Sequence, residues 1–367
     1  MENDSRRMAF KFFITACVIS GMYYFVMENI MPAVEVDGGS REIMGTFNRV
    51  VAVAKSETKA NRAIKAGFDE LMRIDAMMSD YKADSELSRV NREAFAKAVK
   101  VSPELFEILQ ISVNYSRASS GAFDVTVGPL VDLWKRAGET NSMPDANTIA
   151  ATKAKVGYEK LILDTKAQTV RFAVEGMRLD LGGIGKGYAV DKAVEAMKRK
   201  GAIGGMVDSG GNIRCFGRPA GRRGLARGGP AHKGNWLIGI QDPKEVKSEN
   251  AKGKSAEEDI DSQPMMVLKL ADCAVATSGD YRRFVMVGGK KVSHIIDTNT
   301  ATGASKMASD TIIAPKAVDA DALSTAVNVL GAEKGLDLVD SLLGVEAIIV
   351  TREGKIIKSN GADGYIQ

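Results

Sequence analysis

The stretch L-D-L-G-G-I-G-K-G-Y-A-V-D at 179–191 places four glycines between a short apolar run and a helical pattern. Glycine lacks a Cβ and takes positive φ, so this cluster predicts a tight strand-to-helix turn that approaches a neighbour closely. A dinucleotide fingerprint fails because Tyr188 occupies the third glycine position. A phosphate loop fails because Asp180 replaces its first glycine and Gly187 follows Lys186. Two interpretations stay open: a purely structural turn, or an anion site formed by helix N–H groups and Lys186.

Composition limits the protein to ordinary globular classes. The 367 residues are 45% hydrophobic and 26% charged, which permits one large domain or two. The net charge is +4, and no cluster of Lys and Arg is interleaved with aromatic residues. The composition therefore gives no support for a nucleic-acid-binding function. Three scattered cysteines and two histidines lack the close spacing of a zinc site, so metal chemistry would need oxygen ligands.

The N-terminus predicts an export signal or a membrane anchor. Arg6 and Arg7 precede an uncharged, largely apolar segment at 12–27, and a polar Gly/Ser stretch follows at 37–40. A buried helix of the fold is the alternative interpretation. We therefore assign residues 1–40 to an export signal or anchor plus linker and 41–367 to the folded domain. If the chain is exported, Cys215 and Cys273 meet an oxidising compartment, and whether they pair stays open.

Hydrophobic periodicity predicts an α+β fold, because helices and strands are mixed without strict βαβ alternation. Helices are predicted over about 59–78, 103–119, 187–201 and 317–330, and strands from about 42, between 160 and 180, and over 204–208, 236–241, 265–270 and 345–350. The charged segment 243–264 is predicted to be a solvated loop insertion, and the Arg/Gly-rich piece at 217–230 a loop or a basic clamp.

Three further groups of residues are candidates for chemistry. On a helix, Asp321 and Thr325 share a face and offer hard oxygen ligands suited to Mg²⁺. The alternative is that Asp321 caps the helix and Thr325 is a filler. His294 could take a proton from a hydroxyl, or serve only the structure. Tyr81 and Phe123 stand in loops at helix exits, where an aromatic either stacks on a flat ring or packs against the protein.

Eight motifs in collinear order resemble the ApbE family of FAD:protein FMN transferases, over roughly 42–358. They are M-G-T at 44–46, M-S-D-Y at 78–81 with S-E-L-S-R-V-N at 85–91, G-A-F-D-V-T-V-G-P-L at 121–130, the stretch at 179–191, V-D-S-G-G-N-I at 207–213, A-T-S-G-D-Y-R at 276–282, H-I-I-D-T-N-T-A-T-G at 294–303 and A-D-A-L-S-T-A at 320–326. The resemblance implies a single catalytic domain that, with Mg²⁺, transfers the FMN half of FAD to a Ser or Thr hydroxyl of an acceptor protein and releases AMP. Hydrolysis of FAD to FMN and AMP, and FAD binding without chemistry, remain alternatives.

The resemblance also implies roles for individual residues. It maps FAD contacts onto Met44, Tyr81, Ala122, Phe123, Asp124, Asp180, Lys186 and Ile296. It maps Mg²⁺ onto Asp321, Thr325 and the carbonyl of Gly183. It makes His294 the base, and Lys186 would help to neutralise charge at the pyrophosphate.

The same resemblance implies an acceptor among membrane-bound respiratory or ion-pumping flavoproteins. Together with the N-terminus it predicts a protein anchored in the inner membrane, with its catalytic domain on the exported side. The sequence departs from the family at Thr298, where a proline commonly follows the preceding aspartate, and this departure predicts a looser turn.

Overall fold

An antiparallel sheet is the centre of the fold in the computed structural model. The structure describes residues 33–220, 234–243, 263–279 and 284–367, together with positions 14, 15, 19, 20 and 22. The strands are β1 Val34–Ile43, β2 Thr46–Ala54, β3 Val99–Lys100, β4 Leu161–Asp164, β5 Thr169–Phe172, β6 Gly204–Ser209, β7 Asn212–Phe216, β8 Trp236–Ile240, β9 Met266–Leu270, β10 Ala274–Gly279, β11 Phe284–Val287, β12 Lys290–Ser293, β13 Ile296–Asp297, β14 Thr302–Gly303, β15 Ser309–Ala314, β16 Glu346–Val350 and β17 Ile356–Lys358. Within these described ranges the main sheet has the order β1-β2-β6-β7-β10-β15-β16-β17.

Within the described ranges the helices are α1 Glu57–Met78, α2 Glu86–Glu93, α3 Pro103–Ala118, α4 Gly128–Thr140, α5 Ala146–Lys153, α6 Gly185–Arg199, α7 Ala317–Leu330 and α8 Ala332–Asp340. Of these, α1, α6, α7 and α8 pack directly on one face of the main sheet. Local sequence explains where two of the helices begin, because the Ser56 hydroxyl accepts from Lys59 N–H and the Ser102 hydroxyl accepts from Leu105 N–H.

Alternation along β2 separates two apolar layers. Val50 and Ala52 face the helices and share a core with Phe68 of α1, whereas Val51 and Val53 face the opposite layer. That opposite layer contains the β8–β9 hairpin. It also contains the buried free thiols of Cys215 on β7 and of Cys273, which directly precedes β10.

Most of the predicted elements are confirmed. The helices predicted near 59, 103, 187 and 317 are α1, α3, α6 and α7, and Ser102 caps α3 as predicted. The strands predicted in the second half of the chain are also present. The mixture of helices with mainly antiparallel strands confirms the α+β class.

The boundary of the N-terminal segment needs a correction. Residues 34–40 were assigned to a linker, yet they belong to β1, which pairs with β2 from Val34↔Ala54 onwards. An irregularity in the register between Asp37 and Ser40 accommodates the Gly38–Gly39 pair that looked like a linker.

Several predicted segments lie outside the described residues. These are most of 1–32, most of the Arg/Gly-rich piece at 217–230, and nearly all of the charged insertion at 243–264. Among the positions that the structure does describe, no helix has the length and apolar character needed to cross a membrane.

A buried carboxyl lies between the sheet and α7. Asp310 on β15 is fully buried, and its Oδ2 accepts a hydrogen bond of 2.9 Å from the Asn328 side chain. Among the described residues its Oδ1 has no hydrogen-bond partner. Desolvation therefore raises the pKa of the Asp310 carboxyl well above its usual range.

We predict that Asp310→Asn stabilises the protein increasingly as pH rises. The folded state keeps the Asp310 proton to a higher pH than the unfolded chain, where an Asp pKa is about 3.9. Unfolding therefore releases a proton, and the free energy of unfolding falls as pH rises above about 4. Denaturant unfolding of both proteins at pH 5 and pH 8 checks this, with Asp337→Asn, exposed on α8, as the control. A variant whose advantage does not grow between the two pH values would contradict the prediction.

Candidate active site

The glycine turn before α6 is fixed by hydrogen bonds at its start. Asp180 N–H donates to the Val125 carbonyl at 2.8 Å, and Asp180 Oδ1 accepts from Gly182 N–H at 2.7 Å. The residue at the N-cap of α6, Ile184, has no side chain that can cap the helix. The turn therefore leads directly into a helix N-terminus, as the sequence predicts.

Two of the glycines allow α7 to approach the turn and the first turn of α6. A Cβ on Gly187 would lie 2.2 Å from the Ala317 carbonyl oxygen and 2.7 Å from Asp321 Cβ. A Cβ on Gly183 would lie 2.9 Å from Thr325 Oγ1. The close neighbour implied by the glycine cluster is thus, at these two positions, helix α7. The sequence alone did not identify it.

Helix α7 is held at its N-terminus by a residue of α6. The carboxylate of Asp191 accepts from Ala317 N–H at 2.9 Å and from Val318 N–H at 3.0 Å. It also pairs with the Arg214 guanidinium at 2.6 Å. The N-cap residue of α7 itself, Lys316, makes no side-chain capping bond, so Asp191 caps this helix from another element. No local sequence pattern indicated this role, although Asp191 is the last residue of the glycine-rich stretch at 179–191.

The predicted metal ligands lie together at this junction. Thr325 Oγ1 is 3.5 Å from the Gly183 carbonyl oxygen, and Asp321 Oδ2 accepts from Gly187 N–H at 2.8 Å. Asp321 lies in the second turn of α7, so the alternative that it caps this helix is wrong. Within the described residues no group of three or more His, Cys, Asp or Glu side chains could hold a metal ion. A site here would combine one carboxylate with a hydroxyl and a carbonyl, a set of hard oxygens suited to Mg²⁺.

Lys186 provides a positive charge beside the buried Asp321. Its Nζ lies 3.9 Å from Asp321 Oδ1 and donates to the Gly182 carbonyl at 3.0 Å. Burial raises the pKa of the Asp321 carboxyl, and Lys186 and main-chain N–H groups oppose this shift. About a quarter of the Lys186 side chain stays exposed, so its charge is available to an anionic ligand as well.

Predicted flavin contacts surround the same turn. Phe123 Cε2 would lie 3.4 Å from a Cβ on Gly183, and Met44 Cε would lie 3.9 Å from a Cβ on Gly185. Met44 stands in the β1–β2 turn with a φ of 57°. The Asn48 amide closes this turn by donating to the carbonyls of Ile43 and Thr46. The structure therefore brings Met44 and Phe123 next to the glycine turn.

Asp124 has a structural role for its side chain. One oxygen accepts from the N–H and hydroxyl of Thr126, and the other accepts from Tyr158 N–H at 2.8 Å. Burial raises the pKa of this carboxyl, while these hydrogen bonds oppose the shift. These hydrogen bonds fix the Asp124 side chain within the protein, and its contact with FAD stays a prediction.

The segment that contains His294 contacts the turn at 121–123. His294 follows β12 and is exposed, and Ile295 packs with the buried Ala122. The Thr298 hydroxyl donates a hydrogen bond of 2.7 Å to the Gly121 carbonyl. This hydrogen bond tethers the turn to Gly121, while a looser turn than in the family stays a prediction. The side chain of Ile296 is buried in the apolar cluster that includes Trp134 of α4.

Tyr81 stands apart from the buried members of the site. Its side chain is 79% exposed, and the Lys135 ammonium lies 5.1 Å from the centre of its ring. The interpretation that Tyr81 packs against the body of the protein is therefore wrong, and a ring-stacking role stays a prediction.

This chain is similar in sequence to known proteins. A sequence model of the ApbE family matches residues 44–349. The chain is 34% identical over 335 residues to the FAD:protein FMN transferase of Haemophilus influenzae, covering 88% of this chain and 89% of that protein. It is 31% identical over 326 residues to the FAD:protein FMN transferase of Treponema pallidum, covering 87% and 85%.

Solved structures of similar proteins share the fold. The crystal structure of the ApbE protein of Thermotoga maritima superposes with a TM-score of 0.75 at 28% identity, covering 91% of this chain and 99% of that one. The apo form of the flavinyl transferase ApbE of Pseudomonas stutzeri superposes with a TM-score of 0.72 at 25% identity, covering 92% and 98%.

Proposed function

The chain belongs to the ApbE family and is by that membership an FAD:protein FMN transferase, and we propose that its reaction depends on Mg²⁺, modifies a Ser or Thr hydroxyl and releases AMP. The observation that supports this proposal best is the junction of α6 and α7, where Gly183, Asp321, Thr325 and Lys186 meet. In the reaction, the acceptor oxygen forms a bond to the phosphorus of the FMN half. The bond from that phosphorus to the bridging oxygen breaks, and AMP leaves with this oxygen.

The donors at the junction fit a Mg²⁺ ion. Asp321, Thr325 and the Gly183 carbonyl would hold it, and the waters and phosphates that Mg²⁺ usually retains would complete its shell. When bound, Mg²⁺ neutralises charge on the pyrophosphate and on the departing phosphate.

Lys186 adds a second positive charge on the same side of the site. Its ammonium is held by the Gly182 carbonyl and by Asp321. When FAD binds, an oxygen of its pyrophosphate would therefore meet a hydrogen-bond donor that is already in position. Because phosphoryl transfer depends mainly on positioning and charge stabilisation, a fixed cation of this kind favours departure of AMP.

His294 is proposed as the base that takes the proton of the acceptor hydroxyl. Its exposure allows a macromolecular acceptor to reach it. Ile295 and Thr298 contact the turn at 121–123. These contacts bring the segment of His294 to Ala122 and Phe123, which are predicted to contact FAD. An imidazole can accept a proton near neutral pH, which is the property this role needs.

The proposed acceptor is a membrane-bound respiratory or ion-pumping flavoprotein. This proposal rests on the resemblance of the motifs and agrees with the basic residues and apolar segment of the N-terminus.

Replacing Asp321 by Ala should abolish Mg²⁺-dependent release of AMP from FAD, because the carboxylate is the charged ligand of the proposed site. The matched control is Asp319→Ala on the same helix, where the carboxylate contacts Tyr115 instead. AMP release measured against Mg²⁺ concentration checks both variants. If Asp321→Ala turned over FAD normally, the metal assignment would be wrong.

His294→Ala should slow FMN transfer by roughly 10²–10⁴, the usual contribution of a positioned general base. FAD binding, followed by flavin fluorescence, should persist because the imidazole acts on the acceptor. Single-turnover transfer to an acceptor protein measures the effect. Transfer at the wild-type rate would remove His294 from the mechanism.

The N-terminal segment should hold the protein in the inner membrane with its catalytic domain on the exported side. Protease added to spheroplasts of a bacterial host should then digest the domain without lysis, and membranes washed with salt should retain the intact chain. Protection of the domain until the cells are lysed would refute this orientation.

A further inference from the structure

Arg178 connects the loop that follows α1 with helix α4. Its Nη2 donates to Asp80 Oδ2 at 2.6 Å, and its Nη1 donates to the carboxylate of Asp132 on α4. About a quarter of the side chain is exposed. The planar guanidinium can satisfy two carboxylates at once in a fixed geometry, which an ammonium cannot do equally well.

The main chain around Arg178 is itself rigidly held. Arg178 forms an isolated bridge with Val127, and Leu179 exchanges two hydrogen bonds with the side chain of Asn91. The Arg178 carbonyl oxygen would lie only 2.8 Å from a Cβ on Gly128. The guanidinium therefore starts from a fixed position two residues before Asp180.

The two carboxylates that Arg178 holds lead directly to Tyr81 and Lys135. Asp80 precedes Tyr81 in the chain, and Asp132 lies one helical turn before Lys135 on α4. The ammonium of Lys135 is 5.1 Å from the centre of the Tyr81 ring, within the range of a cation–π contact. One guanidinium thus binds the residue before Tyr81 and the helix that carries Lys135.

The rest of the Tyr81 loop has separate anchors. Lys82 pairs with Asp75 at 2.6 Å, and Arg92 donates to the Ala83 carbonyl at 2.7 Å. Loss of the Arg178 guanidinium would leave these contacts in place, so the loop would keep its general course. What it would lose is the constraint on Asp80 and on the adjoining ring.

We propose that Arg178 is a positioning residue for flavin transfer, which holds Tyr81 and Lys135 as a preformed stacking surface for a flat ring of FAD. The proposal rests on the proposed function, because the ligand is FAD, and on the family resemblance, which implies that Tyr81 contacts it. A ring held in place before binding loses less conformational freedom when a ligand stacks on it, so the benefit falls on FAD affinity.

Charge supports the same assignment. Burial raises the pKa of Asp80, and repulsion by the Asp180 carboxylate raises it further. The guanidinium opposes that shift. The guanidinium thus favours the charged form of Asp80, which strengthens the ion pair that holds the residue before Tyr81.

The test compares Arg178→Gln, Tyr81→Ala and the double variant in the full-length protein. Arg178→Gln should raise the KM for FAD about tenfold and leave kcat within about twofold, since stacking contributes on the order of one tenfold step. In the Tyr81→Ala background, the same change should raise KM by much less, because the surface that Arg178 positions is already absent. Asp132→Asn, which removes one of the two partners, should shift KM in the same direction by a smaller factor.

The matched control is Arg73→Gln. Arg73 also bridges two carboxylates, those of Glu70 and Glu104, but it lies on α1 away from the contacts described for the site. Its KM for FAD should equal that of the wild type. An equal rise in KM from Arg178→Gln in both backgrounds, or a fall in kcat without a change in KM, would overturn the proposal.

FAD affinity, measured by flavin fluorescence, distinguishes a failure of this proposal from a failure of the proposed function. If the wild type bound FAD but transferred nothing, the function would fail, while the affinities of the four proteins would still report on Arg178. A weaker FAD affinity of Arg178→Gln, lost in the Tyr81→Ala background, would support the proposal. Equal affinities of Arg178→Gln and the wild type would refute it.

Discussion

The close approach of α6 and α7 is the constraint on which the candidate active site depends. Gly187 has no room for a Cβ, because the Ala317 carbonyl would lie 2.2 Å from it. Its N–H donates to the buried Asp321 carboxylate, and Asp191 of the same helix caps the N-terminus of α7. These contacts place the Gly183 carbonyl and Thr325 Oγ1 on opposite sides of one narrow junction. A larger residue at position 187 would separate the donors that the proposed chemistry needs together.

Electrostatics at this junction favour a cation. Asp321 is almost completely buried, and burial of a carboxylate is costly unless positive charge or hydrogen bonds compensate it. Lys186 and the Gly187 N–H provide part of that compensation. A bound divalent ion would provide the rest and would leave the lysine available for the substrate. The same local charges thus explain both how Asp321 is tolerated in the core and how the site could attract a pyrophosphate.

Local sequence signals predicted the parts of the fold that depend on near neighbours. The apolar spacing of α1 and the Ser102 cap of α3 were readable because their partners lie within a few residues. Collinear motifs also indicated Met44, Phe123, Gly183 and Asp321, which the structure brings to one junction. By contrast, the Asp191 cap, the two partners of Arg178 and the buried Asp310 depend on residues far apart in the chain. No periodicity records such pairings, and β1 was missed because its glycines resemble a linker.

The site is proposed to transfer FMN from FAD to a hydroxyl of an acceptor protein. The most direct measurement incubates the full-length protein with FAD, Mg²⁺ and a flavinylation-domain acceptor, and follows the intact mass of the acceptor together with AMP. We expect an acceptor heavier by one FMN group, one AMP released for each labelled acceptor, and loss of both products when Mg²⁺ is removed. AMP and free FMN without a labelled acceptor, or FAD that stays intact, would contradict this proposal.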